Sequence, residues 1–231
     1  MGKTVVTAAV AALARARGEA VAVVKPAQTG VEPGEPGDLA EIRRLAGVTD
    51  THELARYPDP LSPEAAARTS GLPPLDMAVA ARTIRALAAT RDRVLVEGAG
   101  GLLVRYHPDG ATLADLARAL AAPVLVVTTP RLGTLNHTAL TLEALAGRRL
   151  PVAGLVIGSW PETPDIAKRN NLQDLESLAG EPLSGVLRGG AARLGQAAFR
   201  RLASEGLAQG LGGRFDPAGF REDNIATKEL T

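Results

Sequence analysis

Short runs of β-branched residues alternate with longer segments rich in alanine, leucine and arginine along most of this chain. The runs are apolar almost throughout, which is typical of parallel strands covered on both faces. The repeated alternation predicts a single doubly wound α/β domain over residues 1–209, with a mostly parallel sheet. Strands are predicted at 21–25, 93–97, 123–128, 152–157 and 183–187. Helices are predicted at 4–17, 38–46, 62–68, 75–90, 112–120, 136–146 and 165–179.

The end of the chain departs from this alternation. From about residue 210 the sequence becomes glycine-rich and polar, in the stretch GLGGRFDPAGFREDNIATKELT. Such a composition offers little apolar surface for a core, so we expect a poorly ordered tail over residues 210–231.

The composition argues against several classes of site and partner. The 231 residues include no cysteine, which excludes disulfides, thiolate metal sites and cysteine nucleophiles, and three histidines are few for a zinc site. A net charge of +1 and an aromatic content of 3% argue against nucleic-acid binding. No apolar run approaches the ~20 residues of a membrane helix, and no signal-peptide pattern opens the chain. We therefore expect a cytoplasmic protein with no membrane partner.

The first helix is preceded by a fragment of a phosphate-binding motif. Gly2, Lys3 and Thr4 match the last third of the pattern G-x-x-x-x-G-K-[ST]. In that motif, backbone N–H groups hold phosphates, the lysine reaches the β- and γ-phosphates, and the hydroxyl binds Mg²⁺. Three residues alone are a weak signal, because the strand and the glycine-rich turn of the motif do not precede them.

Charged residues stand where predicted strands end, which is where parallel sheets bind ligands. Lys25 ends the strand at 21–25, within KPAQTG, and Glu97 ends the strand at 93–97, before GAGG. A lysine there can neutralise phosphate charge, and a carboxylate can hold Mg²⁺. Asp38 closes a proline- and glycine-rich loop before a helix. Each also has a structural alternative: a solvated lysine, a tight glycine turn after the acid, and a helix N-cap for Asp38.

Taken in order, the segments GKT, KPAQTG, EGAGGLLV, LGTLNH and GLVIGSW resemble the dethiobiotin synthetase family over residues 2–187. The resemblance implies a P-loop NTPase-type α/β fold and a homodimer with the substrate site at its interface. It also implies an enzyme that makes dethiobiotin from 7,8-diaminononanoate, CO₂ or bicarbonate, and ATP, with Mg²⁺ as cofactor. The implied reaction passes through a carbamate and a carbamic-phosphoric anhydride, and it releases ADP and phosphate.

The same resemblance implies roles for the residues that match the family's motifs. Lys25 would be the catalytic lysine, and Mg²⁺ would be held by Thr4, Asp38 and Glu97. The residues expected to bind ATP and its metal are Gly2, Lys3, Thr4, Asp38, Glu97, Gly98, Ala99, Gly100, Gly158 and Ser159. The residues expected to bind the diamine substrate are Thr29, Gly133, Leu135 and Asn136, of which the last three would reach across the dimer to the substrate carboxylate.

The chain departs from the family pattern before Gly2, where the family has a strand internal to the sheet. Without that strand its neighbours would carry unpaired backbone groups, at about 1–3 kcal/mol for each buried one. We therefore hypothesise a translation start about a dozen residues upstream, enough for a strand and a turn. Arg188 stands where the family usually has a proline near the nucleotide base, so no role is assigned to it.

Three alternatives to this function remain open from the sequence. A catalytically impaired homologue could serve as a non-catalytic dimerisation or regulatory module. Another small-molecule ligase of the same superfamily would share the nucleotide site, although KPAQTG and LGTLNH face the small substrate in the family. A ParA-like ATPase acting on DNA or membranes would require a basic or amphipathic surface, which the near-neutral charge does not favour.

Overall fold

The computed structural model describes residues 2–225, and it contains every helix and strand that the sequence predicts. The helices are α1 (Lys3–Ala16), α2 (Asp38–Ala46), α3 (Pro63–Ser70), α4 (Met77–Ala88), α5 (Leu113–Leu120), α6 (Thr134–Gly147), α7 (Ile166–Ala179), α8 (Gln196–Gly206) and α9 (Pro217–Ile225). The strands are β1 (Val21–Lys25), β2 (Gln28–Thr29), β3 (Thr51–Glu53), β4 (Arg56–Tyr57), β5 (Arg93–Val96), β6 (Val124–Thr128), β7 (Val152–Trp160) and β8 (Gly185–Arg188). In this part of the chain no helix combines the length and the apolar character needed to cross a membrane.

The larger strands form two three-stranded sheets in which all pairs are parallel. One sheet has the order β3-β1-β5 and the other has the order β6-β7-β8, while β2 and β4 form a separate pair. The register places Val24 opposite Val96 in the first sheet and Val127 opposite Val156 in the second. The predicted doubly wound α/β architecture with parallel strands is confirmed.

Helix α1 packs against both three-stranded sheets. Its alanine-rich sequence favours a helix, and the small alanine side chains let the helix lie close to its neighbours. Its buried residues share one core with Val23 of β1 and Val156 of β7, and Leu95 and Leu125 pack against that core. The helix therefore packs across both sheets, and its N-terminus lies at the carboxyl ends of their strands.

The end of the described chain is more ordered than the sequence predicts. Instead of a poorly ordered tail from residue 210, a short 3₁₀ turn (Gln209–Leu211) and helix α9 are present, and α9 packs against α7. The rings of Trp160 and Phe220 lie 5.5 Å apart, edge to face, and Phe215 lies at the same distance from Phe220. These ring contacts connect the glycine-rich segment to Trp160 of β7. Residues 226–231 of the predicted tail lie outside the described residues.

Candidate active site

Four side chains that the sequence singles out meet at the carboxyl ends of β1 and β5. Lys25 Nζ lies 3.0 Å from Oε1 of Glu97 and 2.5 Å from Oδ2 of Asp38. The Thr4 hydroxyl, in the first turn of α1, donates to the same Glu97 oxygen at 2.8 Å. The parallel register explains the meeting of Lys25 and Glu97, because each directly follows a residue of the pair Val24–Val96.

This cluster combines buried charge with access to solvent on one side. Lys25 and Glu97 are 2% and 3% exposed, whereas about a third of the Asp38 side chain is exposed. Burial of a charge is costly unless the charge is paired, and the lysine between two carboxylates meets that condition. Oε2 of Glu97 is also buried, but it has no hydrogen-bond partner among residues 2–225. A buried carboxylate oxygen of this kind is well placed to meet a cation or another donor.

Gln28 fixes the position of Asp38, a contact that the sequence does not reveal. The Asp38 N–H donates a 2.9 Å hydrogen bond to Oε1 of Gln28, whose side chain is buried. Gly37 is the N-cap of α2 and Asp38 is the first helical residue, so Asp38 does not cap the helix through its side chain. Its carboxylate is directed to Lys25 instead. Glutamine within KPAQTG could have been recognised only as a polar residue in a turn.

The turn after β5 is held by a tyrosine that the sequence does not single out. The Ala99 N–H donates to the Tyr106 hydroxyl at 2.6 Å, and this hydroxyl donates to the Ala99 carbonyl oxygen at 3.2 Å. Burial raises the pKa of Tyr106 to about 12. At Gly98, an added Cβ would lie 2.4 Å from Cδ2 of Leu113, so a larger residue there would displace the end of that side chain. The predicted ATP-binding turn of Gly98, Ala99 and Gly100 is therefore held by Tyr106 and packed against Leu113.

The N-terminus of α1 lies against the carboxyl half of β7. Gly2 has a φ of 98°, which favours glycine, and an added Cβ would lie 2.7 Å from the carbonyl oxygen of Gly158. Lys3 lines a groove together with Gly100, and Ser159 is exposed near the end of β7. The structure thus places Gly2, Lys3 and Gly158 near one another, at the same edge of the fold as Lys25.

The predicted substrate residues lie on other elements. Thr29 is in β2 and pairs with Tyr57 of β4. Gly133 is the N-cap of α6, and Leu135 and Asn136 are in its first turn, where Asn136 is exposed. No hydrogen bond or ion pair among the described residues joins these positions to Lys25. Their role in substrate binding stays a prediction.

Comparisons with known proteins identify relatives over nearly the whole chain. A family model described as an AAA domain matches residues 1–188. The ATP-dependent dethiobiotin synthetase BioD of Parafrankia sp. (strain EAN1pec) is 62% identical over 221 residues, which cover 96% of this chain and 93% of that protein. The BioD protein of Rhodococcus jostii (strain RHA1) is 59% identical over 204 residues, or 88% of each chain.

Solved structures of lower identity share the fold. The cell division ATPase MinD of Pyrococcus furiosus aligns with a TM-score of 0.51 at 17% identity, covering 98% of this chain and 93% of that one. The 54 kDa signal recognition particle protein of Aeropyrum pernix K1, solved with GDP, also has a TM-score of 0.51, at 19% identity and over 46% of its length. At these identities the likeness concerns the α/β fold alone. By its near full-length similarity to the curated relatives, the chain belongs to the ATP-dependent dethiobiotin synthetase family.

Proposed function

We propose that this protein closes the cyclic urea of dethiobiotin from 7,8-diaminononanoate, CO₂ and ATP, with release of ADP and phosphate. Membership of the family supports the reaction. The observation that carries the proposal is the buried Lys25, held by Asp38 and Glu97 at the carboxyl edge of the sheet. The substrate has a carboxylate, and the carbamate and ATP are anionic, so a positioned cation at this edge stabilises the negative charge that they bring together.

The chemistry divides into three displacements. A neutral amine of the substrate attacks CO₂ and loses a proton, which gives a carbamate. A carbamate oxygen then attacks the γ-phosphorus of ATP, the bond from that phosphorus to ADP breaks, and a carbamic-phosphoric anhydride forms. The second amine attacks the carbonyl carbon and loses a proton, and phosphate leaves as the ring closes. In this scheme the Lys25 ammonium lies between the carbamate and the γ-phosphoryl group, where negative charge is transferred.

Thr4, Asp38 and Glu97 have the donor chemistry of a magnesium site. They supply a hydroxyl and two carboxylates, the hard oxygen donors that Mg²⁺ prefers, and Oε2 of Glu97 is buried without a partner. The described residues contain no group of three or more histidine, cysteine or acidic side chains that could hold a metal by themselves. Phosphate oxygens of ATP would complete the coordination. When bound, Mg²⁺ would offset phosphate charge and make the γ-phosphorus easier to attack.

A homodimer is part of the proposal. Leu132 and Leu140, which flank the first turn of α6, are 85% and 55% exposed. Burial of these two apolar side chains against a second copy would be favourable. A second copy at this surface would let Asn136 reach the substrate carboxylate in the other protomer. Replacing Leu132 by aspartate is expected to shift the sedimentation coefficient from dimer to monomer, while Glu143→Gln, an exposed change on the same helix, should not.

Dethiobiotin formation is the experiment that tests the activity. The purified protein receives MgATP, bicarbonate and 7,8-diaminononanoate, and the product is measured by mass spectrometry. Lys25→Met keeps the length of the side chain without its charge, and we expect kcat to fall by about 100-fold or more. Lys168→Met, at a partly exposed lysine paired with Asp165 and away from the site, is the matched control and should keep normal turnover.

Two outcomes would contradict the assignment. Product formation at the normal rate by a folded Lys25→Met protein would remove Lys25 from catalysis. No product from the unaltered protein, with a native near-UV circular dichroism spectrum, would instead contradict the proposed reaction itself. The dichroism spectrum is needed for each variant, because removing one partner of a buried ion pair also lowers stability.

A further inference from the structure

The segment that leads to Asp38 is a loop with little packing of its own. Residues 31–37, with the sequence VEPGEPG, join β2 to α2 and form neither helix nor strand, and the side chains from Glu32 to Pro36 are exposed. The loop nevertheless ends with the Asp38 carboxylate 2.5 Å from Nζ of the buried Lys25. Because such a loop gains little from burial, contacts from other elements must fix its path.

A tight turn forms the outer part of this loop. The Glu35 N–H donates to the carbonyl oxygen of Glu32 at 3.2 Å. Pro33 and Gly34 stand between these two residues, and Gly34 has a φ of 88°. Proline followed by glycine at positive φ is typical of a type II turn, so the local sequence favours this turn. It does not determine where the turn lies relative to the site.

Arg56 of β4 holds both ends of the turn. Its Nη1 donates to the carbonyl oxygen of Glu32 at 2.9 Å and to that of Glu35 at 2.8 Å. Hydrogen bonds from a charged donor are about twice as strong as those between neutral groups. One guanidinium group therefore fixes the turn, and with it the path of the chain toward Asp38.

The guanidinium group is itself oriented by Glu53 of β3. Nε and Nη2 of Arg56 donate to Oε1 and Oε2 of Glu53 at 2.6 Å and 2.9 Å, and both side chains are only partly exposed. A bidentate pair of this kind fixes the plane of the guanidinium as well as its position. In the register of β3 with β1, Glu53 lies opposite Lys25. The contacts of Arg56 thus connect the loop to the strand beside Lys25.

Gly37 lies between Arg56 and the glutamine that holds Asp38. A Cβ added at Gly37 would lie 2.6 Å from Oε1 of Gln28 and 3.2 Å from Nη2 of Arg56. Gln28 and Arg56 are partners in the register of β2 with β4, and Gln28 accepts the Asp38 N–H. The backbone just before Asp38 therefore packs against both side chains, and a larger residue at position 37 would displace their ends.

Four of the five N–H donors of Arg56 are bound in this way, which favours a role inside the protein over contact with a substrate. We propose that Arg56 is a positioning residue: by holding the turn of residues 32–35, it sets the place of the Asp38 carboxylate in the site. The consequence for catalysis rests on the proposed function, in which Asp38 holds the metal of MgATP. Removing a group that orients a metal ligand commonly costs roughly 10- to 100-fold in affinity or activity.

The test compares Arg56→Lys with Arg43→Lys. Lysine at position 56 keeps the charge that pairs with Glu53, but it lacks the fork that reaches the two carbonyl groups at the same time. Arg43 lies on α2 and donates to the Thr51 hydroxyl of β3 at 2.8 Å. Arg43→Lys is therefore the matched control, because it alters an arginine that joins two elements but does not touch the loop.

Amide hydrogen exchange, resolved by NMR in the protein without ligands, measures the position of Asp38 directly. The Asp38 amide should exchange about tenfold faster in Arg56→Lys and at the normal rate in Arg43→Lys. The Val23 amide, which donates to the Asp50 carbonyl oxygen within the sheet, is the internal standard and should not change.

Steady-state dethiobiotin formation measures the consequence for the reaction. In Arg56→Lys we expect kcat to fall, and the Mg²⁺ concentration that gives half the maximal rate to rise, each by about tenfold. A loss of stability alone would lower the amount of active protein and leave this Mg²⁺ concentration unchanged.

Gly37→Ala reaches the same contact from the side of the loop and decides the proposal if Arg56→Lys does not fold. The φ of Gly37 is −99°, which alanine adopts without strain, whereas the new Cβ meets Gln28 and Arg56. The Asp38 amide should again exchange faster, and the reaction should again need more Mg²⁺.

Three results would overturn the proposal: unchanged exchange of the Asp38 amide in a folded Arg56→Lys protein, a normal kcat and Mg²⁺ requirement in that protein, or equal effects in Arg43→Lys. If the unaltered protein forms no dethiobiotin, the proposed reaction fails. The exchange of the Asp38 amide then still decides whether Arg56 sets the place of Asp38.

Discussion

Thr4 and Glu97 are 93 positions apart in the chain, and a 2.8 Å hydrogen bond from the Thr4 hydroxyl to Oε1 of Glu97 joins them. The same oxygen accepts a hydrogen bond from Lys25 Nζ. One carboxylate therefore connects the start of α1, the end of β1 and the turn after β5. Any change at Glu97 is transmitted to all three elements, which makes it the most informative position at which to test the site.

Glu97→Gln should weaken the binding of MgATP while keeping the fold. The amide oxygen can still accept from Thr4, but the charge that pairs with Lys25 and that would meet a metal ion is lost. We expect the Kd for MgATP, measured by titration calorimetry, to rise by about tenfold or more. The free energy of unfolding should fall by about 1–3 kcal/mol, because the buried Lys25 keeps only Asp38 as a partner.

The control for this change is Glu143→Gln, at an exposed position of α6. It removes the same charge from the surface and should leave the affinity for MgATP unaltered. If Glu97→Gln binds MgATP with normal affinity, Glu97 is not a ligand of the nucleotide complex.

Tyr106→Phe should loosen the turn of residues 97–100. The change removes the hydroxyl that accepts from the Ala99 N–H and donates to the Ala99 carbonyl, and it leaves both backbone groups buried without that partner. We expect a loss of about 1–3 kcal/mol in the free energy of unfolding, measured by urea titration at pH 7. We also expect a higher KM for ATP with a smaller change in kcat, since the turn contacts the nucleotide rather than the reacting atoms in our proposal.

Because of the same tyrosine, we expect the stability of the protein to depend on pH in the alkaline range. Burial raises the pKa of Tyr106 to about 12, above its ordinary value of 10, so the folded protein holds this proton more tightly than the unfolded chain. This stabilisation is complete below pH 10 and is lost as the pH rises toward 12. The loss amounts to roughly 3 kcal/mol at most. Urea titrations at pH 9 and pH 11 should show a smaller decrease for Tyr106→Phe than for the unaltered protein. Tyr57→Phe is the matched control, and it should retain the part of the decrease in stability that is due to Tyr106.

Because of Asp115, we expect the stability of the protein to depend on pH in the acid range as well, in the opposite direction. Its Oδ2 accepts hydrogen bonds from the Thr112 hydroxyl at 2.7 Å and the Thr112 N–H at 2.9 Å at the start of α5. The bond from the Thr112 hydroxyl lowers the pKa of Asp115. The stabilisation is therefore present above the ordinary pKa near 4 and is lost as the pH falls below it.

Asp115→Asn should cost about 1 kcal/mol at pH 7, as expected for a helix start that loses a charged acceptor. Near pH 3 the difference from the unaltered protein should shrink, because protonation of Asp115 then begins to favour the unfolded chain. Asp174→Asn, an exposed change in α7, should show no such dependence. An equal destabilisation by Asp115→Asn at both pH values would show that the charge is not what stabilises α5.

The sequence predicted the parts of this protein that local pattern determines. The apolar runs gave the five longer strands, and the positions of Lys25 and Glu97 at the ends of two of them placed both residues at the ligand-binding edge of a parallel sheet. Gly2 beside Gly158 could not be predicted by pattern alone, since that contact depends on how α1 packs across two sheets.

Other features depend on contacts between distant residues. Gln28 and Tyr106 have no motif of their own, and each acquires its role from a backbone group that folding brings to it. In residues 210–225, Phe220 contacts Trp160, which lies far away in the chain and is not part of the local composition of that segment. The composition of a glycine-rich, polar stretch alone does not reveal such a contact between one of its few aromatic residues and a distant apolar surface.

Phe220→Ala tests that last dependence. The Phe220 ring lies in α9 and contacts the rings of both Trp160 and Phe215. We expect a loss of about 1–2 kcal/mol of stability for this partly buried ring, and faster amide exchange throughout 217–225. Trp160 is the sole tryptophan of the chain, so its fluorescence emission should shift to longer wavelength as water reaches the indole.

Arg214→Ala, at an exposed residue of the same segment paired with Glu205, is the control and should leave the emission unchanged. Unchanged emission and exchange in Phe220→Ala would show that α9 is held by its packing on α7 and not by the aromatic contact. Turnover should be nearly unaffected by Phe220→Ala, because the residues placed in the reaction lie on α1, α2, β1 and the turn after β5. A large loss of dethiobiotin formation would instead place this segment at the substrate or nucleotide site.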